Sequence, residues 1–472
     1  MTTKGIQAFG ICALYVILSV FIYAIGYGAF APLLYSTRMG SVSINNSLLT
    51  FLSDANSYKE LIDDIHHKNY NKRIWTNVSE EHPQFHKISY SKIYIYSAFF
   101  EPLRKDLETP LVIALGIKAR SERKVLLRCR ITYSDSSQEN VEADSRFAQD
   151  NHPENSNHTV FFAECPSNID KHPISVSFAR YPDYSEEFEH TVIHPGKEII
   201  RNMTVCHGVV FGNYNSDYSV LQNVEYNRIM GAEHFFLYNQ SMGPKLIRLL
   251  NFYHNQGLVT IPPIPKFPPN FAHYHGQAIT INDCMLRNRN VSRYVAVMDT
   301  DEYILPLHHR SWIDVINNVT ESERDKKPGL IGAFSFKHSM YCGVHMSDKE
   351  LKDMQLNSNI SGEAREFAKK YNVDVIIENH RAGLMGYPRR SKTIYRPELV
   401  REPGIHYARV MWQEGRVAVV DEKIGFLAHH RHMGKNSCSL NDTKVFPAAK
   451  EYLENLKMAY IEYENYIGKT IT

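Results

Sequence analysis

The chain has 472 residues, enough for one large domain or two ordinary ones with a sizeable core. Its 53 Lys and Arg nearly cancel its 51 Asp and Glu, and no basic patch stands out, so nucleic acid is excluded as an expected partner. The 29 Tyr and 23 Phe suit a β-rich core first and sugar-stacking surfaces second. Residues 1–5 read as a cytosolic tail, and residues 6–34 carry no Asp, Glu, Lys, Arg or His. A membrane-spanning helix takes roughly 20 apolar residues, and this run exceeds both that and the roughly 7–15 of a cleavable signal. The expectation is a single-pass type II signal-anchor with Lys4 in the cytosol and the remainder luminal. Ala29-Phe30-Ala31 offers a cleavage site as the alternative. Acceptor sequons for N-glycosylation begin at Asn45, Asn77, Asn157, Asn202, Asn239, Asn290, Asn318, Asn359 and Asn441, which suits a lumen. Apart from Cys12 in the apolar run, the cysteines are Cys129, Cys165, Cys206, Cys284, Cys342 and Cys438. Their even number suggests disulfides of unspecified pairing, and no CxxC spacing points to structural zinc.

Residues 35–91 are polar and read as a stem. From residue 92 to 190 the texture is KIYIYSAFF, TPLVIALGIKA, KVLLRCRITY, TVFFAEC and PISVSFARY, separated by polar loops. Short β-branched and aromatic runs of this kind predict an antiparallel β module. It either binds an acceptor or braces the domain after it. Near Met203 the rhythm becomes strand–helix alternation. MTVCHGVVF is a buried strand, and Val220, Leu221, Val224 and Ile229 fall at helical spacing before Gly231. HFFLYNQ is a strand, Pro244 opens a helix that Gly257 stops, and LVTIPPI is a third strand. A helix over 275–289 then leads into YVAVMD. The pattern predicts an α/β fold with a parallel-centred sheet over about 200–450, whose ligands collect at the carboxyl ends of its strands. Residues 451–472 read as a C-terminal helix or tail.

At one such end stands RYVAVMDTDEYILP. Residues two apart on an extended segment share a face, so Asp299 and Asp301 can converge on one point. Paired carboxylates suit Mn2+ or Mg2+, hard cations that fill their remaining positions with water and phosphate oxygens. Such an ion neutralises a diphosphate leaving group, and in the secretory pathway the expected diphosphate is that of a nucleotide sugar. A glycosidase is excluded, because its carboxylates must bracket a bond from opposite sides, roughly 5–9.5 Å apart. An EF-hand is excluded because the spaced ligands and closing Glu are missing. Glu302 is expected to face away and brace the loop.

The segments GAEHFFLYNQS (Gly231–Ser241), Asn282-Asp-Cys284, VMDTDEYILP, SKTIYRPELVREPGIH (Ser391–His406) and LAHHRHM (Leu427–Met433) resemble, in order, the motifs of glycosyltransferase family 92. The resemblance covers about Met203 to Arg431. It implies a GT-A type nucleotide-sugar-binding domain in the Golgi. The implied reaction, with Mn2+, moves galactose from UDP-galactose to a glycan on a glycoprotein or glycolipid, with inversion. Asp301 is then the firmer metal ligand, and Asp299 a second ligand or a ribose contact. His406 is first choice to complete the metal shell and His429 second. Lys392 and Arg396 are placed at the diphosphate, and Phe211 and Asn213 beside uracil and ribose. His430 stands where the family has Tyr. Asp421, Glu422 and Glu378 are candidates for the catalytic base, with nothing to choose among them. The competing reading is a non-catalytic luminal protein that keeps the fold and binds a glycan or a partner.

Overall fold

A computed structural model describes residues 85–122, 126–147, 156–180, 188–262, 264, 271–324, 326–341, 366–367, 370–371, 373, 380–430, 444–445 and 453–471. The apolar run at 6–34, the stem to residue 84, Cys342, Cys438, Glu378, Arg431 and the sequons at Asn45, Asn77, Asn359 and Asn441 lie outside the described residues. No helix among the described residues is long and apolar enough to cross a membrane. The chain divides at Ile74 and Trp75, and all the described residues belong to the second unit.

The first eight strands are β1 (His86–Lys87), β2 (Ile93–Glu101), β3 (Leu111–Ala119), β4 (Leu127–Tyr133), β5 (Gln138–Phe147), β6 (His158–Pro166), β7 (Pro173–Arg180) and β8 (His190–Ile193). They run in the order β1-β2-β3-β6-β5-β4-β7-β8, and β8 returns to pair with β2, so β2 to β8 close into a ring. Closure removes the free sheet edges. The continuous apolar run at β3 is explained by burial on both faces. Val112 and Ala114 point into the ring, against Ile131, Phe161 and Val176. Leu111, Ile113, Leu115 and Ile117 point out and share a core with Cys206, Phe236, Ile279 and Met285 of the α/β domain. The module therefore shares a core with the α/β domain. The start of β5 reads as a loop in the sequence, because QENVEADSRF has no apolar alternation; its pairing with β4 and β6 makes it a strand.

The α/β domain uses β9 (Arg201–Val210), β10 (His234–Asn239), β11 (Val259–Thr260), β12 (Ser292–Met298), β13 (Glu302–Pro306), β14 (Leu330–Phe336), β15 (His338–Tyr341), β16 (His380–Arg381), β17 (Lys392–Tyr395), β18 (Val400–Glu402), β19 (Val410–Met411), β20 (Gly415–Val419), β21 (Gly425–His430) and β22 (Lys444–Val445). Its helices are α1 (Asp217–Ile229), α2 (Pro244–Asn255), α3 (Gln277–Arg287), α4 (Trp312–Ser322) and α5 (Leu453–Ile471). The central sheet runs β11-β10-β9-β12-β17-β14-β20. It is parallel from β11 to β12; β17 then runs antiparallel to both β12 and β14, so the sheet is mixed. A second sheet, β13-β21-β15-β16-β22, stands beyond the end of β12.

One face of the central sheet packs on α1, α2, α4 and α5, the other on α3 and the β module. Helix α5 buries Leu456, Tyr460 and Tyr463, spaced four and three apart on one face. Tyr460 stacks on Tyr218 of α1 with centroids 5.4 Å apart. Among the described residues the paired cysteines are Cys129–Cys165 within the ring and Cys206–Cys284 between β9 and α3. The second bridge ties together two elements that carry site residues and closes a separation of 78 residues. In the chain-entropy account such a bridge contributes about 4 kcal/mol. Replacing Cys206 and Cys284 together by Ala is expected to lower the free energy of unfolding by roughly that amount, read from urea unfolding curves. A change below about 1 kcal/mol would contradict it.

Candidate active site

Strand β12 ends at Met298, and the chain turns at Asp299-Thr300-Asp301 into β13. The turn is held from outside. The Glu302 amide donates to the Asp299 carbonyl at 3.2 Å. Asn223 of α1 donates to the Glu302 carbonyl at 2.9 Å, and Tyr226 to the Ile304 carbonyl at 3.0 Å. Helix α1 also buries Gln222 and Asn227, which donate to the Tyr303 hydroxyl at 3.0 Å and to Asn223 Oδ1 at 2.9 Å, where apolar side chains would be usual.

The carboxylates do not share one environment. Asp299 Oδ1 accepts from Gln277 Nε2 at 2.7 Å, and its Oδ2 accepts from Lys392 Nζ at 2.8 Å. Glu302 Oε2 lies 3.0 Å from the same Nζ and also accepts from the Asp299 amide at 2.8 Å. Glu302 therefore turns into the cluster, contrary to the expectation that it faces away. The reason is the turn: the chain leaves extended geometry between Met298 and Glu302, so the alternation of a single strand no longer applies. Asp301 is 41% exposed, with His429 Nε2 3.2 Å from Oδ2, and Asp299 is 34% exposed although both its oxygens are engaged; of the three acids only Glu302 is buried.

Strand pairing brings the histidines in. Glu302 sits opposite His429 across β13 and β21, and β15 runs parallel to β21 on its other side. His429 Nδ1 is 3.0 Å from His338 Nε2 and 3.6 Å from Glu302 Oε1. Glu302, His338 and His429 offer donor atoms all within 4.8 Å of one another. His338 is fully buried and its Nδ1 has no hydrogen-bond partner. A histidine whose one nitrogen faces an outward carboxylate while the other is held by buried groups is arranged as metal-binding histidines are. Asp301 and His429 Nε2 thus fit a divalent ion that accepts oxygen and imidazole donors.

Of the other residues singled out in the sequence, Lys392 lies inside the cluster and His406 is near enough to feel Asp299 and Lys392, while the rest fall elsewhere. Burial and Lys392 push His406 down to about 4; it feels Asp299, but among the described residues the histidine that meets Asp301 is His429. Lys392, expected at a diphosphate, is 1% exposed and committed to two carboxylates. Arg396 lies at the other end of β17, its Nη2 3.3 Å from the Tyr294 hydroxyl near the start of β12, and is not brought into the cluster. Phe211, just past β9, stacks on His275 at 3.8 Å, and Asn213 accepts from Ser241. Asp421 caps its own turn by accepting the Lys423 amide at 2.8 Å, and Glu422 pairs with Lys337 at 3.1 Å. Neither contact reaches the cluster. His430 stacks on Tyr341 at 4.2 Å. The residues that sequence reasoning missed are Gln277, Asn223, His338 and His207. His207 is buried in β9 with Nδ1 3.1 Å from the Met298 carbonyl and Nε2 unpartnered. The available signal was polarity inside apolar runs, as in SFKHSMY and VCHGVV.

Electrostatics follow from these contacts. Burial lowers the Lys392 pKa, but Asp299 and Glu302 outweigh it and hold the ammonium well above its usual range. Burial raises Asp299, and Lys392 reverses this to leave it below the ordinary carboxylate value. Glu302, buried beside two other carboxylates, is held up despite Lys392. Burial lowers His429, and its bond to Asp301 with the nearby Glu302 raises it above 6.5 overall. Burial pushes His207 and His406 to about 4, and His190 and His338 to about 3. These four histidines stay neutral when folded but protonate near 6.5 when unfolded, so the unfolded chain binds more protons below that pH. Their contribution is complete above pH 6.5 and is lost as pH falls toward 4. His429 has the opposite sign: its contribution is present below 6.5 and lost as pH rises through its raised value. Urea midpoints should therefore fall steadily from pH 6.5 to 4, and His207→Asn should flatten that slope by about one proton, ~1.4 kcal/mol per pH unit. A midpoint unchanged over this range would contradict the assignment.

Parts of the chain match known proteins. The profile of Glycosyltransferase family 92 matches residues 201–466, more than half of the chain. A beta-1,4-galactosyltransferase of Caenorhabditis elegans, galt-1, is 24% identical over 217 residues, 45% of this chain and 44% of that protein. The glycosyltransferase family 92 protein F13G3.3 of the same organism is 29% identical over 100 residues, 19% of this chain and 20% of its own. The chain thus spans less than half the length of these curated relatives. Solved structures with a loose likeness include S. aureus TarS 1-349, at 10% identity and a TM-score of 0.27, covering 48% of this chain and 60% of that one. Another is glucosyl-3-phosphoglycerate synthase of Mycobacterium tuberculosis, at 8% identity and a TM-score of 0.25, covering 50% and 74%. At such scores the likeness carries no weight. The family match does: the chain belongs to glycosyltransferase family 92.

Proposed function

We propose that this chain is a metal-dependent glycosyltransferase that moves a hexose, galactose first, from a UDP-sugar to a glycan on a glycoprotein or glycolipid. The observation that carries the reading is the Asp301–His429 pair, open to solvent at the carboxyl end of β12 and backed by buried Glu302 and His338. Strand ends of this kind are where α/β sheets take their ligands. Galactose is favoured by the activity for which the C. elegans relative galt-1 is named. Family membership supports the GT-A type of domain and the transfer chemistry.

Asp301 and His429 would hold Mn2+ or Mg2+, and the bound ion would supply charge neutralisation to the departing diphosphate. Lys392, Gln277 and Asn223 keep the turn in place so that Asp301 points outward. Preset geometry lowers the reorganisation needed when negative charge develops. Phe211 and the backbone past β9 stand at the parallel strand beside β12, where uracil and ribose are proposed to lie. The apolar run at 6–34 and the sequons support a type II membrane protein of the Golgi with this domain in the lumen. Asn157, Asn202, Asn290 and Asn318 are exposed, as glycosylation requires.

The test is a panel of UDP-hexoses with the purified chain, Mn2+ and a glycan array. Transfer from UDP-galactose should exceed that from the other donors and stop with EDTA. Asp301→Asn should lower turnover by at least about a hundredfold, the scale of losing one key electrostatic group. Undiminished transfer in EDTA, or by Asp301→Asn, would sink the metal mechanism. If no UDP-sugar is turned over or bound, the glycan-binding alternative takes its place.

A further inference from the structure

Contact with a diphosphate does not explain the surroundings of Lys392. Its side chain is 1% exposed, and Nζ lies 2.8 Å from Asp299 Oδ2 and 3.0 Å from Glu302 Oε2. Both carboxylates are further engaged, Asp299 by Gln277 at 2.7 Å and Glu302 by the Asp299 amide at 2.8 Å. Each carboxylate thus spends two of its roughly four lone-pair sites on these donors, one of them on Lys392. Asp301 differs in its partner, His429 in place of a lysine, and not in exposure, at 41% against 34% for Asp299.

We propose that Lys392 is a built-in counter-cation: it occupies the position between Asp299 and Glu302 that a divalent ion would otherwise take, and confines that ion to Asp301 and His429. Charge explains what this achieves. Asp299, Asp301 and Glu302 together carry three negative charges, one buried and two partly exposed, and carboxylates this close need compensation. The lysine cancels one within the fold, and one divalent ion balances the other two. An arriving diphosphate then meets no uncompensated carboxylate. An ion held by one carboxylate and one imidazole also keeps most of its coordination positions for phosphate oxygens and water. Asp299, the first acid of the motif, becomes a structural partner of the lysine.

This rests on the metal-dependent reading for the wild-type ion, and binding measurements separate the two. Mn2+ titrations of the full chain, without nucleotide and followed by the EPR signal of free Mn2+, supply the readout. Lys392→Met frees two carboxylates and should bind Mn2+ at least about tenfold more tightly than wild type, the scale on which residues behind the ligands act. Mn2+ should also restore its thermal stability. Asp299→Asn in the wild-type background should change Mn2+ affinity by less than about twofold, whereas loss of a true ligand costs tenfold or more. This second variant decides the matter if Lys392→Met does not fold. Unchanged or weaker binding by Lys392→Met, or a tenfold loss in Asp299→Asn, would overturn the proposal. Wild-type binding that depends on Asp301 but shows no gain in Lys392→Met leaves the metal reading standing and defeats the lysine's role. No wild-type binding with a clear gain in Lys392→Met does the reverse.

Discussion

A single buried ammonium holds this site in shape. Lys392 lies between Asp299 and Glu302, and without it those acids would repel each other across a turn of four residues. Most of what surrounds the turn serves to keep that arrangement. Gln277 fixes the free oxygen of Asp299, and Asn223 and Tyr226 hold the backbone from α1. Lys392 takes up Asp299 and Glu302, and His429 comes to Asp301 because β13 and β21 pair in register. One cross-strand pairing and one salt-bridged lysine thus give the two aspartates different partners.

The larger architecture protects this geometry. The β module contributes the outer side chains of β3 to the core beneath α3, so the helix carrying Gln277 is packed from both sides. Ser97 of β2 and Tyr238 of β10 both donate to Asp283 of α3, at 2.8 and 2.6 Å. Arg146 reaches from β5 to Glu402 of the α/β domain at 2.7 Å. The Cys206–Cys284 bridge adds a covalent tie between α3 and the strand that holds His207. A module joined by shared apolar core, hydrogen bonds and ion pairs cannot easily swing away, which favours bracing over independent acceptor capture.

Much of the fold could be read from residue order. The run TPLVIALGIKA reads as a strand of an antiparallel module, and the spacing of Val220, Leu221 and Val224 matches α1. Gly257 ends α2 at a positive φ of 73°, a conformation that glycine adopts without strain. The closed ring was not legible, because β8 is four residues long and its return to β2 is a long-range pairing. In the site, the outward carboxylate Asp301 and the histidine His429 both stand out in the sequence. Glu302 and Lys392 have surroundings other than those expected, because their positions depend on a turn and on strand β17, distant in sequence and adjacent in space. His338 and Asn223 gave only a weak signal, since one polar residue in an apolar run has many ordinary explanations.

The proposed metal face is the outward pair, Asp301 and His429, and pulsed EPR of Mn2+ bound to the chain tests it directly. The expected spectrum shows modulation from one histidine nitrogen, and His429→Gln should abolish it while His406→Gln leaves it intact. Absence of nitrogen coupling in the wild type, or its persistence in His429→Gln, would contradict the account.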